Sequence, residues 1–287
     1  MPILKLENVS KVYSREHRGF LAGNKEAAPA IQALVNVSLA VTAGQSVGVI
    51  GESGAGKTTI AALAVGLTEP TSGRVLINAG HHGNKREDRL RRASKIQLIW
   101  QNANDSVDPR MRVRQIIGEP LKVHGLDGEV EMPDTIGNLL QEVGLARELM
   151  ERWPYELSGC ELQRVVIARA LTSNPELLIC DEPASALDAY TKVRVADLLV
   201  RLQAERGLAL LVIAHDLPLV RMITDELIVM HEGSIVEHGP TESIINQPAH
   251  PYTQLLLSCD PTLSMNLPRR KKPGPAVSSA DQPREAD

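Results

Sequence analysis

The feature that most constrains the fold is a glycine-rich loop between an apolar run and a helix-like segment. Residues 51–58, Gly-Glu-Ser-Gly-Ala-Gly-Lys-Thr, match the phosphate-binding pattern G-x-x-x-x-G-K-[ST] at every fixed position. The β-branched run 45–50 predicts a buried strand before the loop, and residues 59–65 predict a helix after it. In such a loop the backbone N–H groups turn toward phosphate oxygens at a helix N-terminus. The sequence therefore predicts an α/β fold that binds a nucleotide through this loop.

A second motif places two acidic residues at the end of a predicted strand. Residues 175–180 are mostly apolar, and Asp181 and Glu182 follow them directly. A carboxylate at this position can hold Mg²⁺ opposite a phosphate loop, and the adjacent Glu182 can polarise an attacking water. The alternative is a buried strand whose acidic end is only solvated.

Three further motifs accompany these two in a fixed order. Residues 157–164, Leu-Ser-Gly-Cys-Glu-Leu-Gln-Arg, precede a helix-like run, residues 185–188 read Ser-Ala-Leu-Asp, and the apolar strand 208–213 is followed by His215. Together with a strand that ends at Gln101, this ordered set resembles the ATP-binding cassette (ABC) ATPases over roughly residues 1–258. The resemblance implies a P-loop NTPase that hydrolyses ATP.

The implied fold is α/β, with a RecA-like P-loop NTPase core, an antiparallel β edge subdomain and an inserted α-helical subdomain. We expect the ATPase domain to span residues 1–258, with residues 3–12 as an edge strand and the helical insertion at about 102–163. Pro120, Gly125 and Pro133 are expected to break the helices of that insertion. Residues 259–287, rich in Pro, Ser and charge, are predicted to form a disordered tail.

The resemblance also implies roles for individual residues. Lys57 would reach the β- and γ-phosphates, Glu182 would act as general base, His215 would contact the γ-phosphate, and Gln101 would touch Mg²⁺ and the attacking water. The Mg²⁺ ligands would be Thr58, Gln101 and Asp181. Tyr13 would stack on adenine, with packing on the surface as the alternative, and His215 could instead be an ordinary histidine with satisfied hydrogen bonds. The full set of predicted ATP contacts is Tyr13, Gly51, Glu52, Ser53, Gly54, Ala55, Gly56, Lys57, Thr58, Thr59, Gln101, Asp181, Ser158, Gly159 and Asp188.

One motif departs from the family pattern. The family signature is usually Leu-Ser-Gly-Gly-Gln, whereas this chain has Cys160 and Glu161 at its last two positions. In the family that motif completes the ATP site of the opposite cassette, and Asp188 lies across the same interface. A Cβ at position 160 and a carboxylate at position 161 would disfavour close approach of a triphosphate. We therefore hypothesise that the site completed by this signature is weak.

Two segments narrow the resemblance to the importers of oligopeptides, dipeptides and nickel. They are residues 99–111, which contain Gln101 and the segment after it, and residues 250–257, His-Pro-Tyr-Thr-Gln-Leu-Leu-Leu. The partners implied are a second ABC ATPase subunit, identical or different, two transmembrane permease subunits and, indirectly, a solute-binding protein. Because the same C-terminal segment occurs in the soluble phosphonate-degrading carbon–phosphorus lyase machinery, an ATPase of such a complex is the alternative.

Composition predicts a cytosolic chain, and the resemblance to importers implies a peripheral position at the cytoplasmic face of the inner membrane. The net charge of −4 gives no electrostatic footprint for general nucleic-acid binding. No apolar run approaches the ~18–20 residues that cross a bilayer, and the first residues lack a signal pattern. Three cysteines without C-x-x-C spacing predict a reducing compartment. We therefore expect the chain to reach the membrane through its partners.

Overall fold

The computed structural model of the chain describes residues 2–13, 30–78, 85–125, 132–185 and 187–259. The predicted tail lies outside these residues except for Cys259. Within the described ranges the strands are β1 (Pro2–Tyr13), β2 (Ile31–Thr42), β3 (Ser46–Ile50), β4 (Ser72–Ile77), β5 (Ile96–Ile99), β6 (Leu177–Asp181), β7 (Ala209–Ile213), β8 (Glu226–His231) and β9 (Ser234–Pro240). The α-helices there are α1 (Lys57–Val65), α2 (Lys85–Lys95), α3 (Val113–Val123), α4 (Met132–Glu142), α5 (Gly159–Leu171), α6 (Ala189–Arg206), α7 (Leu217–Ile223), α8 (Thr241–Asn246) and α9 (Pro251–Ser258).

A six-stranded sheet forms the centre of the fold, in the order β5-β6-β7-β3-β8-β9. The first five strands of this order run parallel, and β9 pairs antiparallel with β8. The carboxyl ends of parallel strands meet at one edge of a sheet, which is where α/β proteins bind their ligands. The residues that follow β3, β5, β6 and β7 therefore lie side by side.

The central strands are buried on both faces. In β6, Leu178 and Cys180 pack into one hydrophobic core, whereas Leu177 and Ile179 pack into a second core on the opposite face. This division follows from the period of two in a strand, and it explains why β6 is a continuous apolar run. Burial raises the pKa of the Cys180 thiol to about 12, as expected for a small apolar core residue.

A separate three-stranded antiparallel sheet has the order β2-β1-β4. The expectation that residues 3–12 form an edge strand is wrong, because Leu4 pairs with Val41 on one side and with Ile77 on the other. Alternating polarity predicts a strand with one buried face, but it does not encode how many strands hydrogen-bond to it. The strand is central in this small sheet.

Helices α3, α4 and α5 lie in the chain between β5 and β6, where the helical insertion is expected. The expectation that Pro120 breaks a helix is wrong, since Pro120 lies inside α3. The helix is held against its neighbours by its buried residues Ile116, Ile117 and Leu121. Gly125 follows the end of α3. Pro133 lies in the first turn of α4, where the missing N–H costs no helical hydrogen bond.

No helix within the described ranges combines the length and the apolar character needed to cross a membrane.

Candidate nucleotide-binding site

The phosphate loop connects β3 to α1 and is held tightly against the end of β8. A Cβ on Gly51 would lie 2.3 Å from the carbonyl oxygen of Met230, so only glycine fits this position. Lys57 is 8% exposed, and its Nζ donates to the carbonyl oxygens of Gly51 at 2.7 Å and Glu52 at 2.8 Å. The ammonium group therefore lies inside the loop, directed at the space that the loop encloses. The other predicted phosphate contacts, Ser53, Gly54, Ala55, Gly56 and Thr59, lie on the same loop and on the first turn of α1.

Burial sets the electrostatics of this site. Desolvation lowers the pKa of Lys57, while the carboxylates of Glu182 and Asp181 oppose that shift. Asp181, at the end of β6, is 5% exposed. Burial raises the pKa of Asp181, and a hydrogen bond from the Thr58 side chain counteracts this. Charged groups that are kept partly desolvated in this way interact strongly with a polyanion or a cation.

Thr58 and Asp181 are thus brought together as the sequence predicts, and Gln101 lies at the same edge of the sheet. Hydroxyl, carboxylate and amide oxygens form an all-oxygen donor set, which is what Mg²⁺ prefers in phosphate sites. The residues present therefore fit a magnesium ion.

Glu182 contacts two of the other predicted catalytic residues. Its carboxylate accepts a hydrogen bond from Gln101 Nε2 at 2.8 Å and lies 3.2 Å from His215 Nδ1. The backbone of Glu182 has a φ of 50°, a left-handed conformation that is uncommon for a residue other than glycine. Its N–H donates to the Ile213 carbonyl at 2.7 Å, which fixes this sharp turn to the end of β7. Three residues from three strand ends therefore form one cluster beside the phosphate loop.

Ser158 caps the N-terminus of α5 together with Glu161. One carboxylate oxygen of Glu161 accepts from the Ser158 N–H at 2.8 Å and from the Ser158 hydroxyl at 2.7 Å, and the Ser158 hydroxyl accepts from the Glu161 N–H at 3.3 Å. These bonds lower the pKa of Glu161. The spacing Ser158-x-x-Glu161 is the capping-box pattern, so this contact could have been predicted from the sequence.

The other predicted contacts lie on separate elements. Asp188 caps α6 by accepting from the Thr191 N–H at 3.0 Å and the Thr191 hydroxyl at 2.7 Å. Gly159 begins α5 beside Ser158. Tyr13 ends β1 with 40% of its surface exposed, and Lys11 Nζ lies 4.9 Å from its ring centroid. Since their predicted ligands are adenine and the nucleotide of a second cassette, the roles of these residues stay predictions.

Two contacts of the site were missed by sequence reasoning. Lys192 on α6 pairs with Asp216 at 2.6 Å, and Asp216 also caps α7 through the Leu219 N–H at 3.0 Å, so the loop that contains His215 is anchored at its far side. The capping residue follows His215 directly and could have been recognised, whereas nothing in the sequence indicates Lys192. The other missed contact joins α9 to the phosphate loop and is described below.

Comparison with known proteins decides the family. The family model described as ABC transporter matches residues 34–185. The chain belongs to the ABC transporter family. A second family model, the C-terminal region of oligopeptide/dipeptide transporters, matches residues 236–285, which include α9. This chain is therefore an ABC ATPase of the branch that has this C-terminal region.

Three curated relatives illustrate the similarity. The oligopeptide transport ATP-binding protein OppF of Streptococcus pyogenes serotype M1 is 43% identical over 84% of this chain and 79% of its own length. The dipeptide transport ATP-binding protein DppF of Haemophilus influenzae is 38% identical over 94% of this chain and 81% of its own length. A probable peptide ABC transporter ATP-binding protein of Sinorhizobium fredii is 37% identical over 99% of this chain and 77% of its own.

Solved structures confirm the predicted fold class. The ATP-binding cassette MJ0796, in a dimeric post-hydrolysis state bound to ADP and Pi, superposes with a TM-score of 0.69. MJ0796 is 30% identical in sequence to this chain, and the superposition covers 83% of this chain and 98% of MJ0796. The α/β core, the antiparallel sheet and the inserted helices α3, α4 and α5 are thus those of an ABC ATPase. The exact domain boundaries at 258 and at 102–163 stay predictions.

Proposed function

We propose that this chain is the ATP-hydrolysing subunit of an importer for peptides, nickel or a related small solute. The observation that carries the chemistry is the Glu182 carboxylate, held by Gln101 and His215 beside the phosphate loop. The observation that carries the importer is the match to the C-terminal region of oligopeptide/dipeptide transporters, supported by relatives named as peptide transport proteins.

The chemistry follows from the positions of the charged groups. The loop N–H groups and Lys57 bind the β- and γ-phosphates, and Glu182 orients a water for in-line attack and accepts its proton. His215 contacts the γ-phosphate. Little covalent chemistry is required of the protein, because positioning and charge neutralisation supply most of the rate enhancement in phosphoryl transfer. Thr58, Asp181 and Gln101 would hold Mg²⁺, which neutralises charge on the phosphate oxygens when bound.

The site is completed by a second ABC ATPase subunit. The similar cassette MJ0796 has been solved as a dimer in two structures, one of them in a state bound to ADP and Pi. In this arrangement Ser158, Gly159 and Asp188 face the nucleotide of the partner, whereas the loop of this chain faces the partner's signature. Binding of ATP then favours the closed dimer, and hydrolysis reopens it.

The signature of this chain supports the hypothesis of a weak opposite site. The Ser158 hydroxyl already donates its hydrogen bond to the Glu161 carboxylate at 2.7 Å. A γ-phosphate would therefore have to compete with this carboxylate for the hydroxyl donor. The hypothesis is tested with Cys160→Gly combined with Glu161→Gln in the complete complex. We expect the double variant to hydrolyse ATP faster than wild type, and an unchanged rate would contradict the hypothesis.

The transmembrane subunits would dock at a groove of about 440 Å³ on the helical side of the sheet. The groove lies between α3 and α5 and begins next to Gln101, with Trp100 and Val123 exposed on its walls. A helix of a membrane subunit seated there would move with helices α3, α4 and α5, and Gln101 would transmit this movement to Glu182. This contact would hold the chain at the cytoplasmic face of the inner membrane.

Isolation of the chain from its native cells in mild detergent tests this proposal. We expect mass spectrometry to identify two multispanning subunits and a second cassette, and an associated solute-binding protein would reveal the cargo. The peptide transport names of the relatives favour this result over the soluble carbon–phosphorus lyase complex. Recovery with soluble enzyme subunits instead would overturn the importer and leave the ATPase chemistry intact.

A further inference from the structure

The C-terminal helix α9 contacts the phosphate loop through one buried side chain. The Tyr252 hydroxyl accepts a hydrogen bond from the backbone N–H of Glu52 at 3.1 Å, between residues 200 positions apart in the chain. Glu52 is the second residue of the phosphate loop, and Tyr252 is only 9% exposed. The segment that characterises this branch of the family therefore contacts the phosphate loop directly.

The ring of Tyr252 is fixed by the strand that supports the loop. It stacks on His231 with ring centroids 3.9 Å apart and an angle of 26° between the planes. His231 ends β8 and follows Met230, whose carbonyl oxygen lies against Gly51. The end of β8 thus contacts the first residue of the loop and also supplies the aromatic partner of Tyr252.

The start of α9 is braced independently. The Glu237 carboxylate, on β9, accepts from the N–H groups of Ala249 at 2.9 Å and His250 at 3.1 Å. His250 Nδ1 in turn accepts from the Tyr252 N–H at 3.2 Å and caps the helix. Because the two Glu237 bonds tie the start of α9 to the central sheet and the His250 cap fixes its first turn, the Tyr252 hydroxyl is held in place rather than being a mobile surface group.

The Gly51–Glu52 segment is consequently held from two directions. Lys57 binds the carbonyl oxygens of Gly51 and Glu52, and Tyr252 binds the N–H of Glu52. An ammonium group has three donors, and two of those of Lys57 are occupied by these carbonyls. Phosphate oxygens compete with the carbonyls for Lys57, whereas Tyr252 accepts a hydrogen bond from the Glu52 N–H and leaves the other N–H groups of the loop to the phosphates.

We propose that Tyr252 is a positioning residue of the ATP site, whose hydroxyl holds the Gly51–Glu52 peptide in place when Lys57 engages the nucleotide. The loop then keeps its other N–H groups directed at the phosphates, and they need not be reordered at each binding event. This inference rests on nucleotide binding by the phosphate loop and is independent of the transported solute.

The test uses Tyr252→Phe in the full chain, because phenylalanine keeps the stacking on His231 and removes only the hydroxyl. A lost hydrogen bond predicts that the dissociation constant for fluorescently labelled ATP rises about three- to tenfold. In the assembled complex, KM for ATP should rise by the same factor and kcat should stay within about twofold. The amide hydrogen of Glu52 should also exchange faster with solvent in nucleotide-free Tyr252→Phe than in wild type.

Ser258→Ala is the matched control, since it removes a hydroxyl from the same helix. That hydroxyl donates to the Leu255 carbonyl at 2.8 Å and does not touch the loop. Equal ATP affinities of Tyr252→Phe and Ser258→Ala would overturn the inference, as would unchanged exchange at Glu52. If the wild-type chain itself fails to bind ATP, the proposed function fails instead, so the two failures are distinguishable.

Discussion

At the residue scale, we expect hydrolysis to depend on the charge of one carboxylate. Glu182 is 18% exposed at its side chain and stands between an amide donor and an imidazole. Its left-handed backbone turns the side chain away from the strand direction at the cost of local strain, which is typical of functional positions. Turnover should therefore require a carboxylate at position 182, and a neutral side chain of the same size should not replace it.

Glu182→Gln should therefore bind ATP and fail to hydrolyse it. The amide has nearly the same size as the carboxylate but cannot accept the proton of the attacking water, so we expect phosphate release to fall by about 10²- to 10⁴-fold. Phosphate release by the assembled complex and nucleotide binding by the full chain measure the two effects. Glu205→Gln, an exposed residue on α6, is the matched control. Undiminished hydrolysis in Glu182→Gln would exclude Glu182 as general base.

A second prediction at this scale concerns the capping pair at the start of α5. Hydrogen bonds from Ser158 lower the pKa of Glu161 below its value in the unfolded chain. A carboxylate with a lowered pKa stabilises the fold above the unfolded pKa of about 4.3, and that contribution disappears as the pH falls through the lower folded pKa. Glu161→Ala should thus cost about 0.5–1 kcal/mol of unfolding free energy at pH 7, the usual range for a lost cap.

Denaturant titrations of wild type and Glu161→Ala at several pH values measure this effect. The difference in unfolding free energy should be constant from neutral pH to about pH 5 and should shrink below about pH 4. A difference that grows as the pH falls would contradict the assigned role of the Glu161 carboxylate.

At the element scale, local patterns predicted local structure and missed contacts between distant segments. The strand, loop and helix around Lys57 follow from consecutive residues, and so do the strands that end at Asp181 and Ile213. The central position of β1 could not be predicted, because tertiary packing, and not the sequence of β1 itself, determines which two strands pair with it. Tyr252 was recognised only as part of a C-terminal segment, since no local signal indicates a partner 200 residues away. Pro120 is tolerated because burial of its helix outweighs the lost hydrogen bond.

The contact between β1 and β4 gives an element-scale prediction. Gly73 has a φ of 82°, and a Cβ there would lie 2.3 Å from the carbonyl oxygen of Asn8 in β1. Gly44 has a similar φ of 69° but no atom within 4 Å of such a Cβ. Gly44→Ala should cost about 1 kcal/mol from the left-handed backbone alone, whereas Gly73→Ala should cost about 2–4 kcal/mol because the backbone of β1 must also move. Equal losses in urea denaturation would contradict the pairing of these strands.

At the scale of the whole molecule, the proposed function assigns different steps to three surfaces. The phosphate loop and Glu182 would hold the nucleotide, the signature at Ser158 would face a second cassette, and the groove near Trp100 would face the membrane subunits. Gln101 joins the first and the last of these, because its amide donates to Glu182 while its neighbour Trp100 lines the groove. In this proposal, a change in the bound nucleotide would be transmitted to the membrane subunits as a movement of helices α3, α4 and α5.

Peptide uptake by the complete complex in proteoliposomes tests the central claim most directly. The complex would contain either wild-type chain or Glu182→Gln, with its second cassette, membrane subunits and solute-binding protein unchanged. We expect uptake of a labelled oligopeptide driven by ATP with wild type, and a loss of at least about tenfold with Glu182→Gln, given the size of general-base effects. Equal uptake by both complexes would contradict the claim that ATP hydrolysis at this phosphate loop energises transport.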